Sequence, residues 1–95
     1  LVRRLEEGGA PGAVSIRPSF NPARGACAFT VAAPGPVLID IFDLCGRLVR
    51  RLEADPGPVE WNGCSGRGTA VPSGTYLVRA SCGPASASCR LTVLE

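Results

Sequence analysis

The sequence contains no histidine, lysine or methionine, and its aromatic residues are one tryptophan, one tyrosine and three phenylalanines among 95 residues. Without histidine, no side chain supplies imidazole acid–base chemistry, and the usual histidine-containing metal sites are excluded. Ser65, Ser73 and Ser81 have no histidine to activate them as nucleophiles. These absences remove most classes of enzyme, and we expect a protein without catalytic activity.

Long apolar runs are also missing. No stretch approaches the roughly 20 apolar residues that cross a bilayer, and no secretion leader opens the chain. We therefore expect no transmembrane segment. Because the chain begins with Leu1 rather than methionine, we interpret it as a processed product or a fragment that could have lost a secretion signal.

Charge of one sign is not concentrated anywhere in the chain. Ten arginines are balanced by eight acidic residues, and the net charge of +2 is too small to indicate a nucleic-acid or anionic-membrane partner. Four carboxylates fall on a strand face or in turns, with no sign of a pocket that would make an acid–base pair of them. We interpret them as solvated charges and expect no cofactor. They are Asp40, Asp43, Asp55 and Glu60.

Glycine and proline divide the chain into short segments. The chain contains 12 glycines and nine prolines, which together make up 21 of its 95 residues. This share is well above the roughly 12% of average soluble proteins, and these residues would interrupt any long helix. Between them apolar residues alternate with period two, which predicts an all-β, two-sheet antiparallel β-sandwich over residues 13–95, with a small closed barrel as the alternative. The seven predicted strands cover residues 13–17, 26–32, 37–43, 47–53, 59–61, 75–82 and 88–94.

The hexapeptide LVRRLE occurs twice, at residues 1–6 and 48–53. A stretch rich in glycine and alanine follows the first copy, so residues 1–12 are predicted to be an arm or linker. Two hypotheses remain open for the arm. It is either the tail of a preceding, similar domain, or a strand whose Leu1, Val2 and Leu5 add to the sheet of a neighbouring subunit. The second hypothesis predicts a homo-oligomer or a filament.

Five cysteines in so short a chain favour an oxidising, extracellular or cell-surface location. They include no Cys-x-x-Cys motif, so we expect no zinc site. A bridge between Cys82 and Cys89 agrees with a register in which the apolar residues of the last hairpin lie opposite one another. Cys45, in a hairpin turn, and Cys64, in an irregular loop, form the second candidate pair. Cys27 then remains as a small, buried core thiol.

The order of four motifs resembles a known family. The motifs are SFNPARG at residues 19–25, VLIDIFDLCGRLVRRL at 37–52, WNGCSGRGTAVPSGTYLVRA at 61–80 and RLTVL at 90–94. They are similar to the immunoglobulin-like (Ig-like) domain of the flagellar hook-assembly scaffold protein and of type IX secretion C-terminal sorting domains. The resemblance implies an Ig-like β-sandwich of about seven strands. It also implies an appended extracellular module that sorts, anchors or assembles a secreted bacterial protein.

The resemblance assigns structural roles to individual residues, all of them at turns or in the core. The partner that it implies is a protein, either the secretion apparatus or neighbouring subunits. A module that binds carbohydrate or protein through its end loops is a further alternative, for which Trp61 offers the ring, although its place in the motif favours core packing. The assigned fold-motif residues are Asn21, Pro22, Gly46, Trp61, Gly63, Pro72, Gly74 and Tyr76.

Overall fold

Strands are the only regular secondary structure among the described residues, which are 13–19, 23–24 and 26–94 of this computed structural model. Within that part of the chain no helix is long and apolar enough to cross a membrane. Eight strands follow one another in sequence. They are β1 (Ser15–Pro18), β2 (Ala23–Arg24), β3 (Cys27–Ala32), β4 (Val37–Phe42), β5 (Leu48–Ala54), β6 (Gly57–Trp61), β7 (Gly74–Cys82) and β8 (Ala85–Leu94).

The strands form two sheets. A three-stranded sheet has the order β1-β3-β6, and a five-stranded sheet has the order β2-β8-β7-β4-β5. Seven strands correspond to the seven predicted ones, so the all-β, Ig-like sandwich is confirmed. One further strand joins the five-stranded sheet, because the two residues of β2 pair with β8 in parallel. Two residues are too few to carry an alternating pattern, so this strand left no signal in the sequence.

The core lies between the two sheets and is built from alternate residues of each strand. In β4, Val37, Ile39 and Ile41 are buried, while Leu38 and Phe42 on the opposite face are half-buried. Burying each such aliphatic side chain contributes roughly 1.5–3 kcal/mol. The buried apolar residues are Ile16, Cys27, Phe29, Val31, Val37, Ile39, Ile41, Val59, Trp61, Val71, Tyr76, Val78, Ala80, Leu91 and Val93.

The β7–β8 hairpin has a different register from the predicted one. Cys82 lies opposite Ala85 and Cys89 lies opposite Val78, so a two-residue turn that includes Gly83 joins the strands. Cys89 is therefore four residues along the ladder from Cys82, about 13 Å at 3.3 Å per residue. A disulfide requires Cα atoms within about 7 Å. The predicted register was wrong because Ala-Ser-Ala-Ser, at the start of β8, consists of small side chains that fit several registers.

Candidate interaction surfaces

The five-stranded sheet turns one face away from the core, and we call this its outer face. Its side chains form cross-strand rows, because directly opposite residues in an antiparallel ladder share a face. Asp40 of β4 lies opposite Arg51 of β5 and Arg79 of β7. The next row along the strands contains apolar residues in place of the charges. The outer face of β4, β5, β7 and β8 carries Leu38, Asp40, Phe42, Leu48, Arg51, Glu53, Leu77, Arg79 and Arg90.

Asp40 is buried, with a relative exposure of 1%, although it points away from the apolar core. Arg51 Nε donates to its Oδ1 at 2.7 Å, and Arg79 Nη2 donates to its Oδ2 at 3.4 Å. The hydrogen bond from Arg51 is the main reason why the pKa of Asp40 is lowered, although burial opposes that effect. The interpretation of Asp40 as a solvated charge is therefore wrong. The two arginine side chains, each about half exposed, cover the carboxylate.

An apolar row crosses the outer face beside this ion pair. Leu48 of β5, Phe42 of β4 and Leu77 of β7 lie opposite one another across three adjacent strands, and Leu44 stands in the turn that follows β4. Leu44, Leu48 and Leu77 are 75%, 49% and 40% exposed. Single exposed leucines are ordinary, whereas adjoining ones are a feature of contact surfaces. We call these four residues the apolar row.

Cationic side chains flank the apolar row. The guanidinium carbon of Arg79 lies 5.5 Å from the ring centre of Phe42, within the range of a cation–π contact. Arg90 lies opposite Leu77 and lines a groove of about 400 Å³ together with Phe42 and Leu44. The groove has apolar walls and a cation among its lining residues, a combination that suits a protein segment with an apolar anchor.

The β4–β5 turn, residues 43–47, is held by its first residue. Asp43 Oδ1 accepts hydrogen bonds from the backbone nitrogens of Cys45 and Arg47, at 2.9 and 3.0 Å, and Oδ2 accepts one from Arg47 Nε. The Arg47 backbone hydrogen bond is the largest reason why the pKa of Asp43 is lowered. Gly46 closes the turn with φ of 86°, a conformation that glycine adopts without steric cost. The turn therefore presents Leu44 on a well-defined support.

The β6–β7 loop is tied to the core by two ring residues. The indole nitrogen of Trp61 donates to the Cys64 carbonyl at 2.8 Å, and the Tyr76 hydroxyl donates to the Pro72 carbonyl. The rings meet edge to face with centres 6.2 Å apart. Trp61 is only 1% exposed, so its ring is not available to stack on a sugar.

Two glycines complete this part of the motif. Gly63 has φ of 77°, and its carbonyl accepts a hydrogen bond from the backbone nitrogen of Val71, while Gly74 begins β7 with φ of 156°.

A cleft of about 670 Å³ lies between the β6–β7 loop and the β4–β5 turn, with Arg47 and Arg67 among its lining residues. The end of the sandwich therefore contains a cleft as well as the outer-face groove. Asn21, Pro22 and the arm residues Leu1, Val2 and Leu5 lie outside the described residues.

None of the five cysteines is in a disulfide in this structure. The candidate bridge between Cys45 and Cys64 is therefore not formed here either. Cys45 is exposed in the β4–β5 turn, and Cys64 is half-buried in the β6–β7 loop. Burial raises the pKa of the Cys27 and Cys89 thiols. No group of three or more cysteine or acidic side chains in the described ranges could hold a metal ion.

Strand β5 ends the five-stranded sheet, so its far side is a sheet edge. The β6–β7 loop covers part of that edge, because the backbone nitrogen of Gly66 donates to the Val49 carbonyl at 3.0 Å. Arg50 also reaches the loop through its contact with the Ser65 carbonyl. In the described part of the chain no strand pairs with β5 on this side.

Sequence reasoning did not identify Asp40 or the apolar row as features of a surface. Each member of the row looked like an ordinary residue of its own strand or turn. The alternation of each strand did contain part of the information. Phe42 lies on the face of β4 opposite to its buried residues, and Leu77 lies on the corresponding face of β7. Recognising that they adjoin requires the β4–β7 register, which places them opposite each other.

The chain matches no protein-family model and no curated protein. It is similar to solved structures from Porphyromonas gingivalis. One is dimeric latent PorU, with 23% identity and a TM-score of 0.75 over 96% of this chain and 10% of that one. Another is PorZ, described as an essential bacterial surface component of the type IX secretion system, with 26% identity and a TM-score of 0.68 over 86% of this chain and 11% of that one. This chain thus spans about a tenth of the length of either protein.

Proposed function

We propose that this domain is a non-catalytic extracellular module that sorts, anchors or assembles a secreted bacterial protein through the type IX secretion system. The observation that carries the proposal is the similarity to PorZ, a surface component of that system, over 86% of this chain. A unit that corresponds to a tenth of a larger chain has the size of an appended domain. The apparatus at the cell surface is then the expected partner.

The outer face supports a role in protein binding. Its apolar row combines exposed leucines with the aromatic ring of Phe42, and arginines adjoin it. Interfaces are enriched in aromatic residues and arginine, and their apolar centres are surrounded by polar groups. We therefore assign the contact with the secretion apparatus to the groove between Leu44 and Leu77.

The proposal is tested by fusing residues 1–95 to the C-terminus of a secreted reporter enzyme in a bacterium with a type IX system. We expect the reporter to appear on the cell surface in the wild-type strain and not in a strain that lacks the secretion apparatus. A reporter that stays inside the cell envelope in both strains would contradict the sorting role.

A variant pair separates the surface from the fold. The double substitution Leu44→Ser with Leu77→Ser removes two exposed leucines of the row, and we expect surface display to fall several-fold. The matched control is Ala32→Ser, another apolar-to-serine change at an exposed position, on β3 of the other sheet. Equal display of both variants would rule out the outer face as the docking surface.

The second candidate function is a structural subunit of an extracellular filament joined through the N-terminal arm. The observation that favours it is that β5, the described strand with the same LVRRLE sequence as the arm, lies at a sheet edge. Sheet edges recruit added strands through their unpaired backbone groups. Deletion of residues 1–12 tests this candidate, because unchanged self-association and solubility would exclude it.

A further inference from the structure

The repeated hexapeptide and the β5 edge are related by charge as well as by sequence. β5 contributes Arg50, Arg51 and Glu53 to its edge of the sheet, and all are wholly or partly accessible to solvent. The arm contains Arg3 and Arg4 followed by two glutamates at positions 6 and 7. A basic pair followed by acidic residues meets its own copy with the most opposite-charge pairs when the two run antiparallel and are offset. Opposite charges then face each other.

The structure restricts where an added strand can begin. The Val49 carbonyl already accepts a hydrogen bond from Gly66, so the β6–β7 loop occupies the edge at the start of β5. A register that pairs the arm with Leu48 or Val49 would displace this loop. The accessible part of the edge is therefore residues 50–54.

Charge selects one antiparallel register within that part. The symmetric alignment of the two hexapeptides sets Arg3 opposite Arg51 and Arg4 opposite Arg50, and like charges directly opposite are unfavourable. A shift of the arm by three residues removes both like-charge pairs and preserves the hydrogen bond between Val49 and the β6–β7 loop. The shifted register pairs Arg3 with Ala54, Arg4 with Glu53, Leu5 with Leu52, Glu6 with Arg51 and Glu7 with Arg50.

We propose that residues 3–7 of one copy add to residues 50–54 of β5 in a second copy as an antiparallel strand in this register. The proposal rests on the second candidate function and identifies its contact. Three opposite-charge pairs specify the register, and Leu5 covers Leu52, which is only partly buried in the single copy. Arg51 keeps its bonds to Asp40, because the guanidinium has further donors for Glu6.

We assign the arm on this edge to a second copy rather than to the same copy. The described chain enters the sandwich at β1, which contacts β8 and β7. β5 lies beyond β8, β7 and β4 in the sheet order, three strand spacings or about 14 Å from β8. The arm of the same copy would have to span that breadth and the separation of the two sheets. A neighbouring copy can present its arm directly to the open edge.

A charge reversal across the Arg4–Glu53 pair tests the register in the full 95-residue chain. Arg4→Glu alone and Glu53→Arg alone each place like charges opposite each other, and we expect either to weaken self-association roughly tenfold. An equimolar mixture of the two single variants restores both contacts, because each arm then meets an edge residue of opposite charge. The double variant restores them as well. Sedimentation velocity over a concentration series measures all four samples.

The matched control is Glu60→Arg, the same charge change at an exposed position on β6, which ends the other sheet. We expect it to associate like the wild type.

The outcomes separate this proposal from the function on which it rests. If removal of residues 1–12 abolishes association but neither the mixture nor the double variant recovers it, the register is wrong and the arm function stands. If the wild-type chain stays monomeric at every concentration, both fail. Recovery in the mixture, with loss in each single variant, supports the register.

Discussion

The two faces of strand β4 have the same secondary structure but different chemistry. On the inner face, Val37, Ile39 and Ile41 are almost completely buried among other aliphatic residues of the core. On the outer face, Asp40 is equally buried, but only beneath the two arginine side chains that bond to it. Burial on one face therefore comes from packing of two sheets, and on the other from side chains of a single sheet.

This difference indicates where stability and binding lie. Each inner-face side chain is packed on all sides by core residues, so shortening one of these side chains leaves a cavity that its neighbours do not fill. The outer face depends on long side chains that water also reaches, and their net contribution to the free energy of folding is smaller. The inner face therefore holds the fold together, and the outer face is available for partners.

The largest expected effect is on the inner face. Ile39→Ala removes a fully buried side chain, and we expect the free energy of unfolding to fall by about 2–5 kcal/mol. The neighbouring outer-face change Leu38→Ala is the control and is expected to cost about 1 kcal/mol, because Leu38 is only half-buried. Urea denaturation followed by tryptophan fluorescence measures both. Equal losses would remove the distinction between the faces.

A smaller effect is expected at the buried carboxylate. Asp40→Asn keeps the shape of the side chain but removes its negative charge, so that Arg51 and Arg79 no longer donate to a carboxylate. We expect a loss of roughly 1–2 kcal/mol, because both arginines are about half exposed and can be solvated. Denaturation at neutral pH measures the loss. A cost of the size expected for Ile39→Ala would mean that Asp40 belongs energetically to the core.

The pH dependence of that loss has a definite sign. The pKa of Asp40 is lower in the folded domain than in the unfolded chain, chiefly because of the Arg51 hydrogen bond. Its stabilising contribution is therefore complete above the unfolded pKa of about 4 and disappears as the pH falls through the folded value. The difference in unfolding free energy between wild type and Asp40→Asn should shrink between about pH 5 and pH 2.

The lowered pKa of Asp43 adds a contribution of the same sign. It is present in both proteins and cancels in their difference, so the comparison isolates Asp40. A difference that stays constant down to the lowest pH would contradict the role of the carboxylate charge.

The smallest effect on stability is expected in the apolar row. Leu77→Ser changes a side chain that is 40% exposed, and we expect a change within about 0.5 kcal/mol. Surface display of the reporter fusion should nevertheless fall if this residue contacts the secretion apparatus. A large loss of stability would show that the row serves the fold rather than a partner.

The sequence was informative wherever local chemistry decides the structure. Alternation of apolar residues identified the buried faces of β3, β4 and β7, because side chains in a strand point to opposite sides in turn. Turn residues such as Gly46 and Gly83 marked where strands end, because they adopt conformations that few other residues tolerate.

Two features could not be read in this way. The register of β7 against β8 depends on a two-residue turn, and the small residues after that turn fit several registers equally well. The burial of Asp40 depends on Arg51 and Arg79, which lie 11 and 39 residues away along the chain. No local pattern indicates that partners so distant meet on adjacent strands.

By itself, the sequence determined that this protein is an all-β sandwich with an aliphatic core and no histidine chemistry, because composition and period-two alternation are properties of neighbouring residues. Only the tertiary structure decided that Asp40 is buried, that Phe42 adjoins Leu77 and that β5 is an edge strand. These properties depend on which strands pair and in what register. Pairing is set by the packing of the whole domain, since a shift in register changes every neighbour across the sheet.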